Sequence, residues 1–382
     1  MQIAGIGKGL LRCFPGHGAL YRLLLRIGPL RSAPTRPLDR GICPHHHPQA
    51  LAAAYHLTPL AAEPERFVLY RILGNDLPPR HRLGQTQDNL RFILEHEPEL
   101  DSCEKRFVVN RIVLPREENA ILRLLEDAGR PYLHIPFNGD EYRCLHWDRE
   151  GVPEAYLPDG SGFAALAPAE RWRVLMRLYR HKNIYVMHNN GARNAALQEG
   201  RRLAKWVLPW DGSCFVTAAG WKSLLLAVQQ QPAIPYFIVP MARALDNSSL
   251  LNRDVQFDAR EEPQVVFRRD ALQAFDEDYY YGRRSKVELL WRLGVPGEWD
   301  NWRLEPWDLP APAYAEDAGQ FAWAGWVARL NSGHPQLEKN SALSRFHRPL
   351  ARMTAVIGLL DALDASLGAA CPRLGTSWAE VV

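Results

Sequence analysis

The sequence predicts an α/β protein: a mostly parallel central sheet flanked by helices, preceded by a basic extension and followed by a helical region. Strand-like and helix-like segments alternate from Phe67 to Phe137, the order that builds a parallel sheet through helical crossovers. Of 382 residues, 47% are hydrophobic, with 12 Trp, 13 Tyr and 13 Phe, ample for a large core. Basic charge gathers in the first forty residues, while the whole chain carries only +3. That length suits two domains or one large domain with additions. We place the extension at residues 1–64, the α/β domain at 65–298, and a C-terminal helical region packed on it at 299–382.

In the extension, Lys8, Arg12, Arg22, Arg26, Arg31, Arg36 and Arg40 are opposed only by Asp39, with leucines between them. Lys8 and Arg12 interrupt any secretory apolar core. The segment reads equally as a basic amphipathic stretch lying on an anionic membrane face or as a solvated tail. His45, His46 and His47 lie between prolines and read as a loop rather than a metal site. No apolar run of about 18 residues predicts a membrane-spanning helix. Six scattered cysteines without a CxxC pair fit reduced thiols, and hence a cytoplasmic protein. A net charge of +3 gives no reason to expect a nucleic-acid partner.

The globular part begins near Glu65. Phe67 to Leu73 is β-rich and stops at Gly74-Asn75-Asp76. Gln87 to Glu97 has helical spacing, and Phe107 to Leu114 is a second strand interrupted by Asn110-Arg111. Glu117 to Asp127 is a helix, and Tyr132 to Phe137 a third strand. Asn138 to Gly162, rich in Gly, Pro and charge, reads as an inserted loop. Glu170 to Tyr179 is a helix whose Arg171, Arg173, Arg177 and Arg180 read as a solvated face. From Tyr185 the chain reads as a loop, then a helix capped by Asn189, Asn190 and Gly191. A short buried strand, Trp206 to Leu208, follows and stops at Pro209, with Asp211-Gly212 at its carboxyl end. That end of an open α/β sheet is where ligands bind, and a carboxylate there can hold a divalent cation that in turn holds a diphosphate.

Gly191, Arg193 and Asn194, followed by WVLPWDGS, resemble the donor-binding centre of family-2-like glycosyltransferases of the GT-A fold, a Rossmann-like fold. Those enzymes carry a Gly-x-x-x-Arg-Asn helix, an apolar strand and a DxD-type acidic turn. Here Ser213 replaces the second acid, so Asp211 stands alone. A second block, Val265 to Gly282, resembles the family's strand, basic pair, short helix and FDE-aromatic-Gly run. The family's Glu-Asp after that Gly, which supplies the acceptor's base, is replaced by Arg283-Arg284-Ser285-Lys286. The nearby acids are Asp276, Glu277, Asp278 and Glu288. The positions matching the family's nucleoside cradle are Asn75, Asp76, Asn110 and Arg111, though their residue types are not the usual ones. The two blocks span about a hundred residues in the right order.

The resemblance implies transfer of a sugar from a nucleotide-diphospho-sugar to a hydroxyl of a glycan or lipid-linked acceptor. Surface polysaccharide or glycolipid synthesis, at the inner membrane face, is the setting it suggests. Asp211 would hold Mn or Mg, and Asn190, Gly191, Arg193, Asn194, Gly212, Arg283 and Arg284 would surround the diphosphate. Asp276, Glu277, Asp278 or Glu288 would supply the base. The missing acids also admit an inactive protein that keeps the fold for binding. A sugar nucleotidyltransferase would show a Gly-rich basic loop after the first strand, and Gly74 to Pro78 does not resemble one. Beyond Trp299 the chain is Pro- and Trp-rich and ends in a helix; its Arg345, His347, Arg348 and Arg352 could reach a diphosphate but read rather as a surface basic patch.

Overall fold

A computed structural model describes residues 58–252, 259–297, 299, 302, 307–331, 337 and 342–368. The extension before residue 58, with its basic segment and His45 to His47, lies outside the described residues. So do 369–382 and, in residues 342–346, the side chains, Arg345 included. Within this range the chain forms a mixed sheet with helices on both faces.

Strand β1 (Phe67–Leu73) is central, pairing in parallel with β2 (Cys103–Asn110) and β4 (Trp206–Asp211). β3 (Tyr132–Ile135) extends the parallel half beyond β2. On the other side β4 meets β7 (Glu261–Arg268) antiparallel, and β7 meets β6 (Tyr236–Arg243) antiparallel. The sheet closes with β8 (Phe321–Trp323) and β9 (Val327–Arg329) parallel to β6, and β5 (Cys214–Phe215) antiparallel to β9. Mostly parallel pairing therefore holds; beyond β4 only β7 was expected, as the strand opening at Val265, while β5, β6, β8 and β9 were not foreseen.

Alternate side chains of β1 leave for opposite faces, as strand geometry requires. Val68 and Tyr70 join Val108 and Val207 beneath Ala192, Ala196 and Leu197 of the helix Asn189–Leu203 and Leu289 and Leu290 of the helix Val287–Arg292. Phe67 and Leu69 face the other way with Trp206, Leu208 and Trp210, covered by Trp221, Leu224 and Val228 of the helix Ala218–Gln230. The helices Gln85–His96 and Pro115–Asp127 cover Leu73, Phe107 and Val109 on that same face. Burial on both faces explains the near-continuous apolar runs, and each such Val, Leu or Phe contributes about 1.5–3 kcal/mol. In chain order these helices are α1 (Gln85–His96), α2 (Pro115–Asp127), α3 (Gly139–Arg143), α4 (Pro168–Leu178), α5 (Arg180–Met187), α6 (Asn189–Leu203), α7 (Ala218–Gln230), α8 (Val287–Arg292) and α9 (Ala342–Leu367).

Several expectations are corrected. β4 does not stop at Pro209 but runs to Asp211. The Trp206 N–H bonds toward β1 and that of Asp211 toward Gln264 on β7, so Pro209 faces β7. The β4–β7 ladder has ended by Val207, so the missing N–H costs no ladder bond there. Tyr185 is not in a loop but in α5. The insertion after β3 opens with α3, whose first-turn amides of Asp140 and Glu141 donate to the Asn138 side chain. No short helix follows β7; residues 269–286 are turns. Arg177 and Arg180 are not a solvated face but are buried around Asp148, at 2.5 and 3.2 Å. The last helix, α9, packs through Ala355, Val356 and Leu360 against α4 and α5, forming a third layer. Among the described residues no helix is long and apolar enough to cross a membrane.

Candidate functional site

At the carboxyl ends of β1 and β4 the sheet opens into a cavity of about 350 Å³. Its floor is Ile72, Leu73, Asp211 and Gly212, and the loop after β1, α1, the 281–287 turn, β9 and α9 supply its walls. Gly212 permits the floor to form. A Cβ there would lie 2.5 Å from the Ile72 carbonyl oxygen, which would part β1 from β4 at the cavity's edge.

Asp211 is held from three sides. Arg193 Nη2 donates to its Oδ1 at 2.6 Å; Gln264 Nε2 and Lys286 Nζ donate to its Oδ2 at 2.8 and 3.2 Å. Burial alone would raise this carboxyl, but Lys286, Arg193 and the bonds from Arg193 and Gln264 hold it far below the usual carboxylate range. Arg193 also donates to Asn190 Oδ1 at 2.9 Å and stands over the Phe275 ring at 5.3 Å.

The Arg-Asn pair and its neighbours chiefly brace the 275–286 segment. Asn190 Nδ2 donates to Asp276 O and Ser285 O. Asn194 donates to Phe275 O at 2.8 Å, accepts from Phe275 N at 2.9 Å, and donates to Glu277 Oε1. Gly191 makes room for the His188 ring, which would meet a Cβ there at 2.0 Å. Of the four acids expected to supply a base, none lines the cavity. Asp276 accepts from Asp278 N, and Asp278 pairs with Arg180. Glu288 is fully buried, accepting from Asp276 N and Arg292 Nε, and burial pushes it up to about 7 against the pull of Arg292. They anchor the segment from beneath.

The expected nucleoside cradle divides similarly. Asn75 lines the cavity and also ties two loops together, donating to Arg111 O and accepting from Val113 N, both at 2.8 Å. Arg111 turns away from the cavity to lie over the Tyr185 ring at 3.9 Å. Asp76 does line the cavity; it accepts from Thr86 N and Oγ1 at the start of α1. Burial raises it to about 6, partly offset by those bonds. Asn110 Nδ2 donates to Met187 O, while its buried Oδ1 faces no donor among the described residues. Gln85 Oε1, Arg193 Nε and Arg352 Nε are likewise buried without a hydrogen bond. All four side chains line this cavity. Buried polar atoms are normally satisfied, but these four are closed off behind the cavity wall, so a ligand would meet the lining's cations and open polar groups instead. Arg283 is forked onto Asp308; Arg284 lies 3.8 Å from the same carboxylate and lines the cavity with its guanidinium 4.3 Å from the Trp302 ring centre.

Sequence reasoning missed Lys286, Glu262, Gln264, His81 and Arg329 on the walls, and put Arg352 in a surface patch. Lys286 had a signal, since it sits in the block where basic residues replace the family's acids. Arg329 and Arg352 had none, because β9 and α9 reach the cavity only through tertiary packing.

No protein-family model matches this chain, and no curated protein matches it at a significant level. Among solved structures, the chain aligns with a mannosyltransferase, PcManGT from Pyrobaculum calidifontis, in complex with GDP-Man and Mn2+. The alignment covers 84% of this chain and 82% of that one at 12% identity, with a TM-score of 0.32. A likeness that loose carries no argument, so the site is read from its own geometry.

That geometry does not fit the divalent cation implied at Asp211. Both its oxygens already accept from N–H donors, and Ser213 supplies no second carboxylate. Among the described residues no group of three His, Cys, Asp or Glu side chains is placed to share a metal ion.

Proposed function

We propose that this chain is a glycosyltransferase that takes its sugar from a nucleotide-diphospho-sugar. The supporting observation is the cavity at the carboxyl edge of the parallel strands, lined by Arg193, Arg284, Lys286, Arg329 and Arg352. Such an edge is the usual ligand position in an open α/β sheet. In the reaction the bond from the sugar's anomeric carbon to the diphosphate oxygen breaks, and both electrons leave with the diphosphate. The acceptor hydroxyl oxygen bonds to that carbon and its proton passes to a base. Arg329 and Arg352 supply fixed positive charge for the leaving group, which gains most where water is excluded, while Arg193 and Arg284, each paired with an acid, add N–H donors. Asp76 is the carboxylate we assign to the proton, since it lines the cavity and its value of about 6 lies near neutrality. An acceptor on a glycan or lipid carrier, and attachment of residues 1–40 to an anionic membrane face, belong to the same proposal.

Binding and hydrolysis of a panel of nucleotide sugars by the purified chain test it. Arg193→Lys keeps the charge but loses the paired geometry of a guanidinium, and we expect donor affinity to fall about tenfold, an effect of about 1.4 kcal/mol. An unchanged affinity removes Arg193 from the donor site; no binding of any nucleotide sugar removes the proposal. The anchoring of Asp276, Asp278 and Glu288 outside the cavity favours a second reading, a protein that binds such a donor without turning it over. Donor binding without transfer or hydrolysis is its signature.

A further inference from the structure

Lys286 stands between two carboxylates. Its Nζ lies 3.2 Å from Asp211 Oδ2 and 3.2 Å from Glu262 Oε1, and its side chain is only 4% exposed. Two acids sharing one cation is the arrangement in which carboxylates hold a divalent ion, and here a lysine ammonium fills it. Arg193 and Lys286 then balance Asp211 and Glu262, leaving that end of the cavity neutral.

The excess charge comes from β9 and α9. Arg329 on β9 is the register partner of Arg243 on β6. Arg243 and Arg348 share one carboxylate, Glu261, at 2.6 and 3.6 Å. One turn beyond Arg348, the Arg352 guanidinium lies over the Tyr281 ring at 5.3 Å. Among the described residues neither Arg329 nor Arg352 has a carboxylate within ion-pair distance, and both line the cavity. Burial first, then the charge of Arg329, lowers the Arg243 guanidinium to about 10. Cations so crowded on the cavity wall favour an anion among them.

We infer that this cavity binds a diphosphate group without a divalent cation, Lys286 standing in the cation's place while Arg329 and Arg352 take the phosphate oxygens. The inference rests on the glycosyltransferase reading only for what the diphosphate is attached to.

Calorimetry with inorganic pyrophosphate, in EDTA and in excess Mg2+, tests it on the full chain. We expect affinities within twofold of each other, and a tenfold or greater loss for Arg329→Ala and for Arg352→Ala. Glu262→Gln removes an exposed carboxylate and should tighten metal-free pyrophosphate binding, whereas a site using Glu262 as a metal ligand would lose affinity. In Lys286→Met, checked for folding by its thermal melt, the freed acid pair should bind Mn2+, seen as loss of the free-ion signal in electron paramagnetic resonance. Pyrophosphate binding that requires Mg2+ in the parent, or weaker binding by Glu262→Gln, overturns the inference. Metal-free pyrophosphate binding with no affinity for any nucleotide sugar keeps it and removes the glycosyltransferase reading. Nucleotide sugars bound only with Mg2+ do the reverse, and failure to bind either ligand removes both.

Discussion

At the scale of single residues, the cavity separates acids that can take a proton from acids that hold the chain. Asp76 faces the cavity and burial sets it at about 6, so as a base it works ionised, above that value. Transfer should therefore rise with pH through about 6 and level off. Asp76→Asn keeps an oxygen to accept from Thr86 at the start of α1 but cannot take a proton. We expect it to lose that limb of the kcat/KM profile and about 10²–10⁴ in rate, with little change in donor affinity. A limb that persists in the variant reassigns the base. Glu288 is the contrasting case, raised to about 7 by burial. A raised folded value adds stability that is full below the unfolded value of about 4.5 and is lost as pH rises through about 7. Melting temperature should fall over that window, and Glu288→Gln should flatten the slope; an equal slope in the variant places its source elsewhere.

At the scale of elements, α6 is the strut between sheet and site. It reaches close to the sheet because Gly200 has no side chain: a Cβ there would meet Val207 Cγ1 at 2.5 Å and the Tyr70 ring at 3.1 Å. Alanine in a helix gains about 1 kcal/mol over glycine, while overpacking a core costs about 1–3 kcal/mol. With β1 and β4 behind those atoms the second effect should win, and Gly200→Ala should destabilise the protein by about 1 kcal/mol or more in chemical denaturation. A more stable variant would mean the helix can slide. The far end of β4 is fastened similarly. Arg71, inside β1, donates from Nε to Cys214 O at 2.9 Å and pairs with buried Glu97, which accepts from Val216 N at 2.7 Å. That buried pair holds the turn carrying Asp211, a role invisible in a strand-like run.

At the scale of the whole molecule, the cavity is assembled from chain segments some 280 positions apart, from Ile72 to Arg352. The proposed membrane attachment would fall to the basic extension, the part of the chain whose composition suits a charged surface. Each Lys or Arg near an anionic bilayer contributes about 1 kcal/mol, so seven of them opposed by one acid should suffice for salt-sensitive attachment. Co-flotation with anionic vesicles should drop when residues 1–40 are removed and when salt is raised. Equal flotation of both forms, or of neither, rejects membrane attachment through this segment.

The parallel half of the sheet was legible in the sequence because each strand is buried on both faces and each helix on one, and both leave a periodic apolar signature. Phe67 to Leu73 is read to the residue for that reason. Asp211, Arg193 and Arg284, picked out from short stretches of sequence, are among the residues that line the cavity, whereas Lys286 in the same block was passed over. Of the other half only β7 was read, from Val265 on; β5, β8 and β9 are two or three residues long and carry no period of their own, and β6 went unread. Pairing decided them. Tertiary structure alone also decided what the charges do: it set Lys286 between Asp211 and Glu262, sent Arg111 and Arg283 to other partners, and brought Arg329 and Arg352 to the cavity wall. Residue type is local, but whether a charge meets a partner or a ligand depends on which distant segment packs beside it.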